Sequence, residues 1–198
     1  MAARLVLAST SRYRAELLAR LGLPFSVESP GIDEAIRAGE APRARALRLA
    51  HAKAGAVAAR RPGRWVIGSD QVAVCADRIL DKPGDDDRCR EQLAASSGRS
   101  VEFHTAVVLL STDSGASSEH VDRTLVRFRQ LAPAHIARYV ELDRPYDCAG
   151  GFRSEGLGAT LFESIETQDP SALVGLPLIW LAGALRAAGL DPLDPSQR

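Results

Sequence analysis

Residues 5–18 read L-V-L-A-S-T-S-R-Y-R-A-E-L-L. A short apolar run spanning residues 3–8 has the composition of a buried strand. Three small residues follow, and a helical pattern opens at once over residues 12–21, with Leu17, Leu18 and Leu21 at helical spacing and Gly22 as its stop. A strand that feeds straight into a helix constrains the fold more than any other stretch of the chain. The junction also carries two serines and two arginines, Arg12 and Arg14. A turn that only reverses the chain needs none of them. Backbone N–H groups and hydroxyls at a helix N-terminus form an anion site, and fixed guanidinium charge suits phosphate. The spacing is not that of a P-loop, because G-x-x-x-x-G-K is missing. An ordinary cap by Ser11, with the arginines on a solvated face, is the alternative reading.

The rest of the chain reads as mixed α/β. Phe25–Glu28 is a strand and S-P-G-I-D-E a loop. Residues 42–60 form an Ala-rich helix opened by Pro42. Residues 64–75 are strand-like, interrupted at Gly68-Ser69-Asp70, and Ile79-Leu80 continue a hairpin. A helix over 85–97 precedes two long strands, 100–111 and 119–131, joined by T-D-S-G-A-S-S. On the second, Val121, Leu125 and Phe128 alternate with charged residues, which predicts one dry and one wet face. A helix over 133–142, a Gly-rich stretch from Cys148 and an apolar helix over 177–189 complete the chain. The long antiparallel strands rule out a purely doubly wound sheet. The expected shape is one domain of two lobes with a long mixed sheet around a central cleft.

Bulk properties narrow the function. The formal net charge is zero, so nothing argues for non-specific nucleic-acid binding. No apolar run approaches the roughly 20 residues that span a bilayer, and the first residues lack the about 7–15-residue apolar core of a signal peptide. The three cysteines, Cys75, Cys89 and Cys148, show no C-x-x-C spacing, and a reduced, cytosolic setting is expected. The oligomeric state stays open, a homodimer included.

Among charged residues, Asp33-Glu34 lies in a loop and Asp70 at the end of a strand-like run. Acids so placed serve as metal ligands or bases, since Mg²⁺ on a polyphosphate takes one or two protein carboxylates; a turn residue is the plainer reading of Asp70. Lysine supplies only two of the 25 basic residues, Lys53 and Lys82. In so arginine-rich a chain a lysine marks a place for a compact point charge, or is solvated surface. The four histidines show no metal-ligand spacing and read as structural or surface residues, and no hydrolytic triad is legible.

Several motifs occur together in one order: A-S-T-S-R-Y-R-A-E-L-L, I-D-E, A-x-x-K-A (residues 50–54), I-G-S-D-Q-V, D-K-P-G, S-E-G-L-G-A-T-L-F-E and D-P-S-A-L-V-G-L-P. Over nearly the whole chain this resembles the Maf-type nucleoside triphosphate pyrophosphatases. The resemblance implies a single domain over residues 1–198 with a fold like the inosine triphosphate pyrophosphatases. It implies hydrolysis of a nucleoside triphosphate between the α- and β-phosphates, with a divalent cation, Mg²⁺ or Mn²⁺, as cofactor. By motif, Ser9, Arg14, Lys53 and Lys82 would bind the triphosphate. Glu34 and Asp70 would hold the metal, and Asp70 would be the proton acceptor.

The resemblance also places base selection at Tyr13, Gln71 and Glu155. The branch for thymidine and uridine triphosphates usually carries Arg, Thr and Gln there. An aromatic residue, Gln and Glu resemble the branch acting on 7-methyl-GTP. N7-methylation makes guanine a cation, which stacks favourably on an aromatic face for about 0.5–2 kcal/mol, and a carboxylate can accept from the guanine N1–H and amine. Arg12 stands where many members have Pro, and Tyr13 where some have Trp. The competing readings are the same reaction on UTP or dTTP, and a nucleotide-binding regulator of septum formation with little turnover.

Overall fold

Leu5–Ala8 (β1) pairs in parallel with two strands at once, Phe25–Glu28 (β2) on one side and Trp65–Cys75 (β3) on the other. Parallel partners require crossovers, and the helices Arg12–Ala19 (α1) and Pro42–Ala58 (α2) supply them. The computed structural model describes residues 4–194; Ala3, where the first strand was expected to begin, lies outside them.

Beyond β3 the chain turns antiparallel. Arg78–Leu80 (β4) folds back on β3 with Ala73 opposite Leu80. Asp86–Ser96 (α3), capped by the Asp85 side chain, leads to the long strands Ser100–Ser111 (β5) and Ser117–Phe128 (β6). Pro133–Asp143 (α4), Phe162–Glu166 (β7) and Leu178–Ala187 (α5) follow. The strand order is β2-β1-β3-β5-β6-β7, with β4 on β3. This is the mixed α/β architecture that the sequence predicts.

The chain divides into two compact units. The first holds the residues up to Asp70, Thr105–Asp122 and the residues from Asp169 on; the second holds Gln71–His104 and Arg123–Gln168. In the first, Leu5, Leu7 and Ile67 of the parallel strands meet Leu17 and Leu18 of α1 and Leu181 and Leu185 of α5, all at most 2% exposed. Burial of each such side chain contributes about 1.5–3 kcal/mol. α2 seats on β3 at Gly68, where a Cβ would stand 2.2 Å from the Ala50 carbonyl oxygen. In the second unit, Phe103, Phe128, Phe152 and Phe162 form a cluster of edge-to-face rings with centroids 4.8–5.5 Å apart. Such pairs add about 0.5–1.5 kcal/mol each beyond burial.

Two expectations are corrected, and one strand that was not expected, β7, is added. Gly68-Ser69-Asp70 does not interrupt β3, which runs unbroken from Trp65 to Cys75; the glycine is there for close helix packing, and Asp70 is mid-strand. The dry face of β6 carries Asp122, Thr124, Val126 and Phe128, while Val121 and Leu125 are only half-buried beside exposed Arg123 and Arg127. Phe128 is out of phase with Val121 and Leu125, and the aromatic cluster fixes its parity. β7 carries no strong strand pattern, since Glu163, Ile165 and Glu166 are all exposed; it forms by pairing with β6 across a register shift at Arg127/Phe128.

Candidate active site

The junction between β1 and α1 contains the cap that its serines suggested. Ser11 is the N-cap, its Oγ accepting from the Arg14 N–H at 3.4 Å. Ser9 is buried, and its Oγ accepts from the Ser11 N–H at 3.1 Å. The last β1–β3 pair is Ala8 with Gly68, so Ser9 follows at the level where β3 continues into Ser69 and Asp70.

Arg14 points inward from the first turn of α1, and its Nε donates to the Gly175 carbonyl at 2.9 Å. The residue keeps some exposed surface, yet its guanidinium sits deep enough that desolvation dominates. Burial pulls its pKa below the ordinary value, and the charges of Asp70 and Glu34 push it back up. An arginine stays protonated under any such shift, so the group is a fixed cation facing two acids.

Those two acids converge on one ammonium. Lys53 Nζ, from α2, lies 2.6 Å from Asp70 Oδ1 and 2.8 Å from Glu34 Oε1. The Lys53 and Asp70 side chains are 7% and 9% exposed, and the Glu34 side chain 53%. The seat of α2 on Gly68 sets this distance, because Lys53 and the packed Ala50 and Ala54 all lie buried on α2. The Glu34 loop is tied to the same helix. Arg48 Nε and Nη2 donate to the two Glu40 carboxylate oxygens at 2.5 and 2.7 Å, and Nη2 also donates to the Ala35 carbonyl at 3.2 Å. The Asp33 carboxylate instead turns back to accept from the Ala35 N–H at 3.0 Å.

The first unit thus brings Arg14, Glu34, Lys53 and Asp70 together. Asp70 and Glu34 are hard oxygen donors able to share a divalent cation. Among the described residues no group of three or more His, Cys, Asp and Glu is arranged to hold a metal. Two carboxylates are the number that Mg²⁺ or Mn²⁺ on a polyphosphate ordinarily takes from a protein, and in that respect the residues fit such an ion.

Tyr13 lies half-buried on the first turn of α1. The Arg12 guanidinium stands over its ring, 4.7 Å from the centroid, and Arg12 Nη2 donates to the Tyr13 hydroxyl at 2.7 Å.

Gln71, Lys82 and Glu155 belong to the second unit. Gln71 is half-buried and directly follows Asp70. Lys82 is exposed on a turn fixed by Gln92 Nε2 donating to the Asp81 carbonyl and the Gly84 N–H to the Tyr146 carbonyl, both at 2.9 Å. Glu155 is exposed and accepts from the Ser154 hydroxyl at 2.9 Å. Its loop is clamped to α4: the Tyr139 hydroxyl donates to Asp143 Oδ2 at 2.8 Å and accepts from the Arg153 N–H at 3.0 Å. Burial pushes the Tyr139 phenol well above its ordinary value.

The histidines stand as structural or surface residues. His51 pairs with Glu119, His104 with Glu102, and His120 stacks on Trp180. Sequence reasoning missed Arg48, Ser69, Gly175 and the Tyr139–Asp143–Arg153 clamp. Ser69 and Gly175 carried a signal, lying inside the quoted I-G-S-D-Q-V and D-P-S-A-L-V-G-L-P.

The geometry can be compared with known proteins. A model of the family described as Maf-like protein matches residues 4–188. A protein of Xanthomonas oryzae pv. oryzae named 7-methyl-GTP pyrophosphatase is 53% identical over 189 residues, covering 96% of this chain and 98% of that one. A protein of Bordetella avium with the same name is 53% identical over 191 residues, covering 96% and 95%. The Ham1 protein of Staphylococcus aureus has a similar fold, with a TM-score of 0.53 at 13% identity over 93% of this chain and 98% of that chain.

Proposed function

The chain belongs to the Maf-like protein family, and from that premise we propose that it hydrolyses 7-methyl-GTP between the α- and β-phosphates, giving 7-methyl-GMP and pyrophosphate. The observation that carries this reading is the buried Lys53 ammonium between Asp70 and Glu34, in the field of Arg14. Hydrolysis of a triphosphate needs neutralised charge and an aligned water more than covalent help, and this constellation supplies both.

Arg14 and Lys53 bind the phosphate oxygens, the Ser9 hydroxyl donates to one of them, and Lys82 has a phosphate-binding role by motif alone. Asp70 Oδ1 is engaged by Lys53, while Oδ2 accepts no hydrogen bond among the described residues. Oδ2 orients the attacking water and takes its proton as the bond to phosphorus forms. Pyrophosphate leaves with the bridging electron pair, and Asp70 returns the proton to solvent. A divalent cation held by Glu34 and Asp70 would neutralise charge on the phosphates and lower the pKa of a bound water. By motif, Tyr13, Gln71 and Glu155 select the base: an aromatic face suits the charge of the methylated ring, and a carboxylate can accept from its N1–H and amine. Removal of modified nucleotides is the role that follows. Three unbridged thiols support a reducing, cytoplasmic setting.

The test is pyrophosphate release from 7-methyl-GTP, GTP, UTP, dTTP and ITP, with Mg²⁺ or Mn²⁺ and with chelator. Preference for 7-methyl-GTP is expected. Preference for UTP or dTTP would keep the hydrolase and discard the base assignment. No release from any nucleotide would leave a binding protein.

A further inference from the structure

Gly175 follows the single-turn helix Pro170–Val174 with φ at +121°. Its carbonyl takes two donors, Arg14 Nε at 2.9 Å and Ser69 Oγ at 2.9 Å. A carbonyl oxygen has two lone pairs, which gives room for both donors. Ser69 is fully buried and its Oγ also lies 2.8 Å from the Ala106 carbonyl. It has one hydrogen for two acceptors, and it ties the residue next to Asp70 to the Gly175 loop.

The loop is tied down by the Asp169 side chain. Asp169 accepts from the Ser171 N–H at 3.0 Å with Oδ1 and from the Ile179 N–H at 2.7 Å with Oδ2. The space beside Gly175 is taken up by Arg14: a Cβ there would stand 3.3 Å from Arg14 Nε and 3.6 Å from Cγ. Meanwhile the two terminal amines of Arg14 make no hydrogen bond among the described residues.

We propose that Gly175 and Ser69 are positioning residues that aim Arg14 at the substrate's phosphates. A guanidinium can offer a phosphate a fork made of Nε and one terminal amine, or of both terminal amines. The Gly175 carbonyl occupies Nε, so only the Nη1–Nη2 end remains. The bond fixes the rotation of the group and presents that end as a two-pronged donor. This rests on the reading of Arg14 as a triphosphate ligand. It makes Arg14 irreplaceable by lysine, whose single ammonium cannot hold the carbonyl and grip a phosphate as a fork.

The test is calorimetric titration of the full chain with magnesium tripolyphosphate, alongside kcat and KM for 7-methyl-GTP, on Ser69→Ala, Gly175→Ala, Arg14→Lys and Arg14→Ala. Arg14→Lys is expected to lose as much tripolyphosphate affinity as Arg14→Ala, about tenfold or more for a charge-assisted bond. Ser69→Ala should weaken binding about threefold, raising KM more than it lowers kcat. Gly175→Ala should weaken it further. In an Arg14→Ala background neither Ser69→Ala nor Gly175→Ala should weaken binding again, an outcome that mere destabilisation would not give. Lysine binding as well as arginine, or losses that persist without Arg14, would overturn the inference. A wild type that fails to bind tripolyphosphate would do the same. One that binds it but releases no pyrophosphate would sink the hydrolase reading and leave the aiming of Arg14 standing.

Discussion

Lys53 Nζ lies 2.6 Å from Asp70 Oδ1, and less than a tenth of either side chain is exposed. This close ion pair joins the long helix α2 to the middle strand β3. Removing one partner of such a pair strands the other in a poor solvent for charge. The pair is therefore structural and chemical at once, and substitutions at its two ends should separate those roles.

Asp70→Asn keeps the shape of the side chain and removes the proton acceptor. Turnover of 7-methyl-GTP should fall about 10²–10⁴-fold, the range for loss of a general base, while nucleotide still binds. Parallel measurement of pyrophosphate release and nucleotide titration checks this. A near-normal rate would remove Asp70 from the chemistry.

Lys53→Met leaves Asp70 buried without its ammonium and should destabilise the fold by about 3–5 kcal/mol. The double variant with Asp70→Asn should recover part of that loss, because the stranded charge has gone. Urea unfolding of the four proteins closes the cycle. Additive effects would mean that the two groups do not interact.

Arg12 already places a cation over the Tyr13 ring, and a methylated guanine would bring a second. Arg12→Ala should raise the preference for 7-methyl-GTP over GTP about 2–5-fold, matching the about 0.5–1 kcal/mol of an exposed cation–π contact. Glu155→Gln should lower the preference for 7-methyl-GTP over UTP. The ratios of kcat/KM decide both, and unchanged ratios would dismiss Tyr13 and Glu155 as base readers.

The alkaline limb of stability should be steep. Burial raises the Cys89 thiol from 9.0 to about 12 and pushes the Tyr139 phenol upward as well. A raised folded-state pKa means stability fully present below the unfolded value and lost as pH climbs towards the folded one. The fold should therefore weaken from about pH 9 towards pH 12. Urea midpoints across that range should fall for the wild type and flatten for Cys89→Ala. Alkylation at pH 8 should reach half-exposed Cys148 before buried Cys75 and Cys89.

Sequence alone revealed those parts of the site whose signals are local. Ser11 capping α1 spans one helical turn, and Pro42 opens its helix where expected. Lys53 stood out through the scarcity of lysine. Its burial between Asp70 and Glu34 was not legible, since the Asp70 contact spans 17 residues and a parallel crossover. The Gly175 carbonyl lies 161 residues from Arg14, and every residue has a carbonyl, so no residue type could announce it. The phase of β6 went astray because Val121 and Leu125 look apolar in isolation, whereas Phe128 has two rings to join.

Gly68 has one further consequence. Because helix and strand touch there backbone to backbone, the reach from Lys53 to Asp70 is gauged by main-chain atoms that every sequence shares. Neighbouring core side chains can drift in size over generations without loosening that gauge. A methyl group at this one position would wedge the elements apart, so the tolerance of the surrounding core hangs on a residue that has no side chain to vary.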